Sequence, residues 1–302
     1  MLKKSLLIYI SLLLLITLMS CNDEDNPENP LIMTSSYPVF VIISELTGEH
    51  VKTDYIVPTG ASPHTYMPKP SDVKKASSAA ALFYVATNLD GWITDFPSEV
   101  KVKLIDMLPE DEIIYFDCGH DHSEGPEEHH VHKEEIDPHF WLDPVLVNKI
   151  LPRIVETLSE ILPEYSEEFQ QNADKFSTKL EQIHRETKTI LEKVEGQEVF
   201  LHHPSFNYML ERYGFYYAGA IEESPGKEPS PKFIATLIAK IKQSGVKAIF
   251  SEPQLNSKNA EVIAQEAGVN LYELNPVGDS DNMKNYRDLL VKNAEIFRKA
   301  LE

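Results

Sequence analysis

Residues 199–220 read VFLHHPSFNYMLERYGFYYAGA. Val199 to His203 suits a short strand. Pro204 to Tyr213 suits a helix, and Phe215 to Ala220 a second strand. The alternation continues toward the carboxyl end. Pro231 to Ser244 is an amphipathic helix, Val246 to Ser251 a strand, and Ser257 to Ala267 a helix. Val269 to Leu274 is a strand, and Asn282 to Leu301 a closing helix. Strands alternating with helices imply a parallel sheet flanked by helices. Ligands of such sheets lie beyond the carboxyl ends of the strands. His203 and Glu252 both stand at such ends.

Upstream, residues 163–195 carry the longest helical pattern. Pro163 suits its first turn, Gly196 ends it, and Phe169, Phe176, Leu180, Ile183, Ile190 and Val194 recur at near-helical spacing. About 32 residues at ~1.5 Å each reach roughly 48 Å, too long for one small lobe. The spacing predicts a stiff connection between two lobes. A coiled coil is the alternative, but heptads are not sustained. A helix from Pro144 to about Leu162 precedes it, with a kink or restart expected at Pro152.

The amino-terminal half is less regular. Val39 to Ile43 fits a strand or a buried helix, and periodicity does not decide. Val51 to Pro58 and Ala81 to Ala86 read as strands, and Val102 to Leu108 as another. Ser71 and Asp72 suit the cap of a helix reaching about Ala80. Residues 60–72, GASPHTYMPKPSD, form a rigid loop around His64. Trp92 suits a helical turn.

Five of the 11 histidines, His120, His122, His129, His130 and His132, fall within CGHDHSEGPEEHHVHKEE. Directly after it comes Ile136 to Pro144, IDPHFWLDP, where two Asp-Pro steps restrict the backbone around His139. A fixed histidine beside a His-rich tract indicates a metal site under a metal-attracting loop. His202 and His203 are neighbours in a strand, so only one can face a cleft, and the following Pro204-Ser205-Phe206 favours His203. His50 and His184 lie outside any motif and are expected at the surface.

The 302 residues carry 28 basic and 48 acidic side chains, a formal charge of -20, which argues against nucleic acid and anionic membrane surfaces. Residues 1–20 read as an export signal, with Lys3 and Lys4 before an apolar run from Leu6 to Met19. Leu18-Met19-Ser20-Cys21 resembles a bacterial lipobox, which makes Cys21 the lipidated residue and residues 21–30 a disordered tether. Cys118 then has no partner for a disulfide.

Four stretches, GASPHTYMPKPSD, IDPHFWLDP, FLHHPSFNYMLERYG and AIFSEPQLNSKNAEVIAQEAGVNLYELNPVG, together resemble the metal-binding solute-binding lipoproteins of zinc and manganese ABC transporters. The resemblance implies two α/β lobes joined by one long helix. The expected parts are a first lobe over 31–162 with the His-rich loop at 118–135, the connecting helix at 163–195, and a second lobe over 196–302. It implies a monomer that captures zinc and delivers it to a membrane permease powered by an ATPase. Such a protein is not an enzyme, and it is lipid-anchored at the periplasmic or extracellular face of a bacterial membrane. His64, His139 and His203 would be the ligands, and a third histidine goes with Zn²⁺ over Mn²⁺. Two positions depart from the family pattern. Asn275 stands where an Asp ligand is usual, leaving Asn275, water or a loop histidine as fourth donor. Met67 stands where many relatives have Glu. Glu252 reads equally as a charge that orients a histidine ring or as a cleft-surface charge. The rival functions are a zinc hydrolase, which lacks a His-Glu-x-x-His helix here, and an adhesin or zinc-storage lipoprotein on the same fold.

Overall fold

The computed structural model describes residues 29–116 and 135–302. Cys21, Cys118 and the histidines at 120, 122, 129, 130 and 132 lie outside the described residues, as do the expected signal and nearly all of the tether.

The protein is α/β, with two four-stranded parallel sheets flanked by helices. The first sheet contains β1 (Leu31–Thr34), β2 (Lys52–Tyr55), β3 (Ala81–Tyr84) and β4 (Lys101–Lys103), in the order β2-β1-β3-β4. A two-stranded antiparallel pair, β5 (Tyr115–Phe116) and β6 (Glu135–Ile136), brackets residues 117–134. The second sheet contains β7 (Glu198–Leu201), β8 (Tyr216–Ala220), β9 (Ala248–Ser251) and β10 (Asn270–Glu273), in the order β10-β9-β7-β8.

The ambiguous run at Val39 is helical. Helix α1 (Tyr37–Thr47) has Pro38 in its first turn and buries Val39, Ile42, Ile43 and Leu46 on one face. Helix α2 (Pro70–Ala76) starts one residue before the expected cap. Its N-cap is Lys69, and the Asp72 carboxylate accepts from the Lys69 backbone N–H at 2.7 Å. A single turn, α3 (Thr87–Asp90), precedes a 3₁₀ turn that carries Trp92. The strand expected from Val102 to Leu108 stops at Lys103. A 3₁₀ turn from Leu104 to Met107 then buries Leu104, Ile105 and Met107.

Helix α4 (Pro144–Ile161) runs through Pro152 without a restart. The long helix α5 is Ser166–Leu191, after a 3₁₀ turn at Pro163–Tyr165. Its 26 residues span about 39 Å. It packs against α1 of the first lobe, against α4, and against the closing helix of the second lobe, Tyr286–Leu301. One hydrophobic core therefore joins side chains from both sheets across this helix, including Phe83, Trp141, Phe176, Phe250 and Phe297. The remaining helices are α6 (Asn207–Arg212), α7 (Pro231–Ser244), α8 (Lys258–Ala267) and α9 (Tyr286–Leu301). Helix α9 begins four residues later than Asn282, because Asn285 caps it by accepting from Asp288 N–H at 2.9 Å.

Candidate metal centre

Three loops converge, two of them at the carboxyl ends of parallel strands and one after the antiparallel pair. One follows β2 and carries His64. One follows β6 and carries His139. One follows β7 and carries His203. One ring nitrogen from each of the three lies within 4.8 Å of the other two. His64 Nε2 is 3.1 Å from His139 Nε2, and His203 Nε2 is 3.3 Å from His139 Nε2. His139 and His203 are buried, and His64 is half-buried.

The segment around His139 is fixed at both ends. Asp137 N–H donates to Ile114 O at 2.8 Å. Asp143 caps α4 by accepting from Val145 N–H at 2.8 Å, and its other oxygen accepts from Arg212 Nε at 2.7 Å. Between them Trp141 is fully buried. Its Nε1 donates to Pro276 O of the second lobe at 2.8 Å, and its carbonyl accepts from Tyr286 OH at 2.7 Å. The indole meets the His139 ring edge-on at 5.2 Å.

The outward nitrogens are also held. His139 Nδ1 is 2.7 Å from Asp137 Oδ1, which accepts from His139 N–H as well. An oxygen that already accepts a backbone N–H is not the protonated one, so Nδ1 donates. Glu252 Oε1 lies 2.8 Å from His203 Nδ1 and accepts from Ser205 Oγ at 2.7 Å. Burial works against the Glu252 charge, but the His203 ring and the two hydrogen bonds hold its carboxyl below the usual range. Glu252 therefore orients a ring. Burial pushes the Asp137 carboxyl up to about 7, against the His139 backbone N–H and the His203 ring. Both rings thus carry the proton on Nδ1 and turn a lone pair inward at Nε2. Burial, then the neighbouring rings, pushes the pKa of His64 well below the ordinary value, with the Asn88 backbone opposing. Burial and the His203 ring do the same to His139.

Two readings of single residues change here. Asn275 does not offer a free oxygen. Its Oδ1 accepts from Gln254 Nε2 at 2.8 Å, Val277 N–H at 3.1 Å and Gly278 N–H at 2.9 Å, so it staples the loop after β10. That loop needs Gly278 at φ +81, where a Cβ would also press on the Tyr37 ring at 3.2 Å. His184 is not a plain surface residue, since it stacks on Tyr213 at 5.7 Å and its Nδ1 lies 3.2 Å from the phenol oxygen. His50 is exposed and pairs with Glu168. His202 turns away from the cluster. Its Nε2 is 3.6 Å from Glu222 Oε1, and neither ring nitrogen has a hydrogen-bond partner. Met67 is solvent-exposed. The sequence reading did not single out Asp137, Ser205 or Gln254. The Asp-Pro step carried a signal for Asp137, but it read only as backbone punctuation.

A space of about 10 Å³, room for one water-sized species, lies among His64, His139, His203, Glu252 and Gln254. A wider cavity of about 170 Å³ opens on the same three rings. Phe116 and Glu135, the residues flanking 117–134, line it together with Glu223 and Ser224.

Comparison with known proteins places this arrangement. The chain is 29% identical over 283 residues to a zinc-binding protein AdcA of Streptococcus pyogenes serotype M3, covering 88% of this chain and 55% of that protein. It thus spans about half the length of that relative. It is 26% identical to the high-affinity zinc uptake system protein ZnuA of Bacillus subtilis, over 89% of this chain and 87% of that one. A crystal structure of a Zn(II)-bound mutant variant of AdcAII from Streptococcus pneumoniae superposes with TM-score 0.74 and 26% identity, covering 91% of this chain and all of that one. The family model described as zinc-uptake complex component A, periplasmic, matches residues 32–300, and the chain belongs to this ZnuA family.

Proposed function

We propose that the protein captures one Zn²⁺ ion between its lobes, through Nε2 of His64, His139 and His203, and delivers it to the permease of an ABC transporter. One observation carries the reading. The Nε2 atoms of His139 and His203 lie 3.3 Å apart, and a proton held on each Nδ1 by Asp137 and Glu252 leaves a lone pair on each Nε2. A cation between them relieves that opposition. Tetrahedral Zn²⁺ with bonds of roughly 2.0–2.1 Å sets its ligand nitrogens about 3.3–3.4 Å apart. Three imidazoles favour Zn²⁺ over Mn²⁺, which prefers oxygen donors.

Zinc here is cargo. The two carboxylates that touch the rings, Asp137 and Glu252, are each committed to a ring Nδ1, which leaves neither as a general base. In this reading Cys21 anchors the chain by lipid to the outer side of a bacterial membrane. Residues 31–162 and 196–302 are the lobes that carry the ion as a monomer, with 163–195 between them, and loop histidines from His120 to His132 gather zinc. No helix among the described residues is long and apolar enough to cross a membrane.

Elemental analysis of protein purified without added metal, followed by competition between Zn²⁺ and Mn²⁺, tests this. The expected result is about one equivalent of zinc that manganese does not displace. Stoichiometric manganese, or no metal after competition, rejects it.

A further inference from the structure

The three imidazoles leave one corner of a tetrahedron open, and the residue expected to fill it, Asn275, has its oxygen fully engaged. We infer that Gln254 supplies the fourth donor through its side-chain oxygen, an inference that rests on the zinc reading above.

Asn275 Oδ1 accepts two backbone N–H groups, from Val277 and Gly278, so it is an oxygen. The Gln254 atom facing it at 2.8 Å is then the NH₂ group, which fixes the orientation of that amide. Its oxygen, Oε1, is buried and has no hydrogen-bond partner. An amide oxygen shut away from water without a partner is costly. Gln254 lines the same small cavity as the three imidazoles. It stands two residues after Glu252, on the turn that leaves β9, so this one turn both orients His203 and presents the amide. A metal ion held there gives the orphaned oxygen its partner.

This donor set is neutral: three imidazoles and one amide. The charge that balances a divalent cation sits one hydrogen bond further out, on Glu252 and Asp137. Asn275 then serves as the anchor that aims Gln254 rather than as a ligand.

Co²⁺ is a suitable probe, since its visible spectrum reports coordination number. The full chain is loaded with one equivalent, and visible absorption and oxygen-17 water broadening of the Co²⁺ resonance are recorded. The wild type should show a four-coordinate spectrum without metal-bound water. Gln254→Leu should gain one metal-bound water and lose about tenfold or more in Co²⁺ affinity, at least what losing a hydrogen-bond partner behind a ligand costs. Gln254→Met, closer in shape, carries the same expectation should the leucine variant fold poorly. The inference is overturned if the wild-type complex already holds metal-bound water, or if Gln254→Leu and Gln254→Met both leave the spectrum and the affinity unchanged. Absence of both Co²⁺ and Zn²⁺ binding by the wild type would instead remove the zinc reading itself.

Discussion

His139 Nε2 lies 3.3 Å from His203 Nε2, and neither nitrogen carries a proton for the other, because Asp137 and Glu252 each hold the ring proton on the far side. On the proposed reading the two carboxylates matter to the metal without touching it. Asp137→Asn and Glu252→Gln should each weaken Zn²⁺ binding by about 10–100-fold. Competition against a chelator of known affinity measures this. Affinity unchanged in both variants contradicts the orienting role.

Proton competition should come late. The sequence alone places the loss of zinc near the ordinary imidazole value of about 6.5, between neutral pH and about pH 5. Burial holds His64 and His139 well below the ordinary value, so both stay neutral as pH falls through it. Protonation of these two rings should therefore cost little cleft affinity above pH 6, and a loss between pH 7.5 and 6 should follow the Asp137 carboxyl, raised to about 7. Calorimetric titration of the wild type and Asp137→Asn across that range checks it, and a loss by pH 6 that persists in Asp137→Asn contradicts it. Stability of the metal-free fold follows the same sign. Unfolding releases both rings to their ordinary value, so the unfolded chain takes up protons first. The contribution of these two rings is full above about pH 6.5 and declines as pH falls toward the folded values, while Asp137 and Asp90, raised to about 7 and about 6, contribute with the opposite sign.

The legibility of the sequence follows from which residues act locally. Helix α7 came out at its full bounds because Ser230 caps it, Pro231 opens it and Gly245 closes it, all within one stretch. Strand alternation leaves only one of His202 and His203 for the cleft, the motif with Pro204-Ser205-Phe206 favours His203, and the structure turns His202 toward Glu222. Strand β1 was not legible. Its four residues gain strand geometry only by pairing with β2 and β3, which come later in the chain. Nor was the role of Asn275, which depends on a glutamine 21 residues earlier and on the turn at Gly278. The convergence of His64 with His139 spans 75 residues, and the family motif carried that information rather than any local pattern.

Asp143 tests the frame that fixes the His139 segment. Asp143→Ala removes the cap of α4 and the partner of Arg212. A loss of about 1–2 kcal/mol in urea unfolding is expected, typical of a helix cap. No change in midpoint contradicts the account.

Deleting residues 120–132 should leave one tight zinc site and remove any weaker ones, since the three converging rings lie outside that segment. His139→Ala should do the reverse. Equilibrium dialysis of both variants with radioactive zinc counts the sites, and loss of the tight site in the deletion alone reverses the assignment.

The most direct measurement is anomalous diffraction at the zinc edge, from crystals of the protein grown with one equivalent of Zn²⁺. The account predicts one peak within bonding distance of Nε2 of His64, His139 and His203. A peak elsewhere, or none among these three nitrogens, contradicts it.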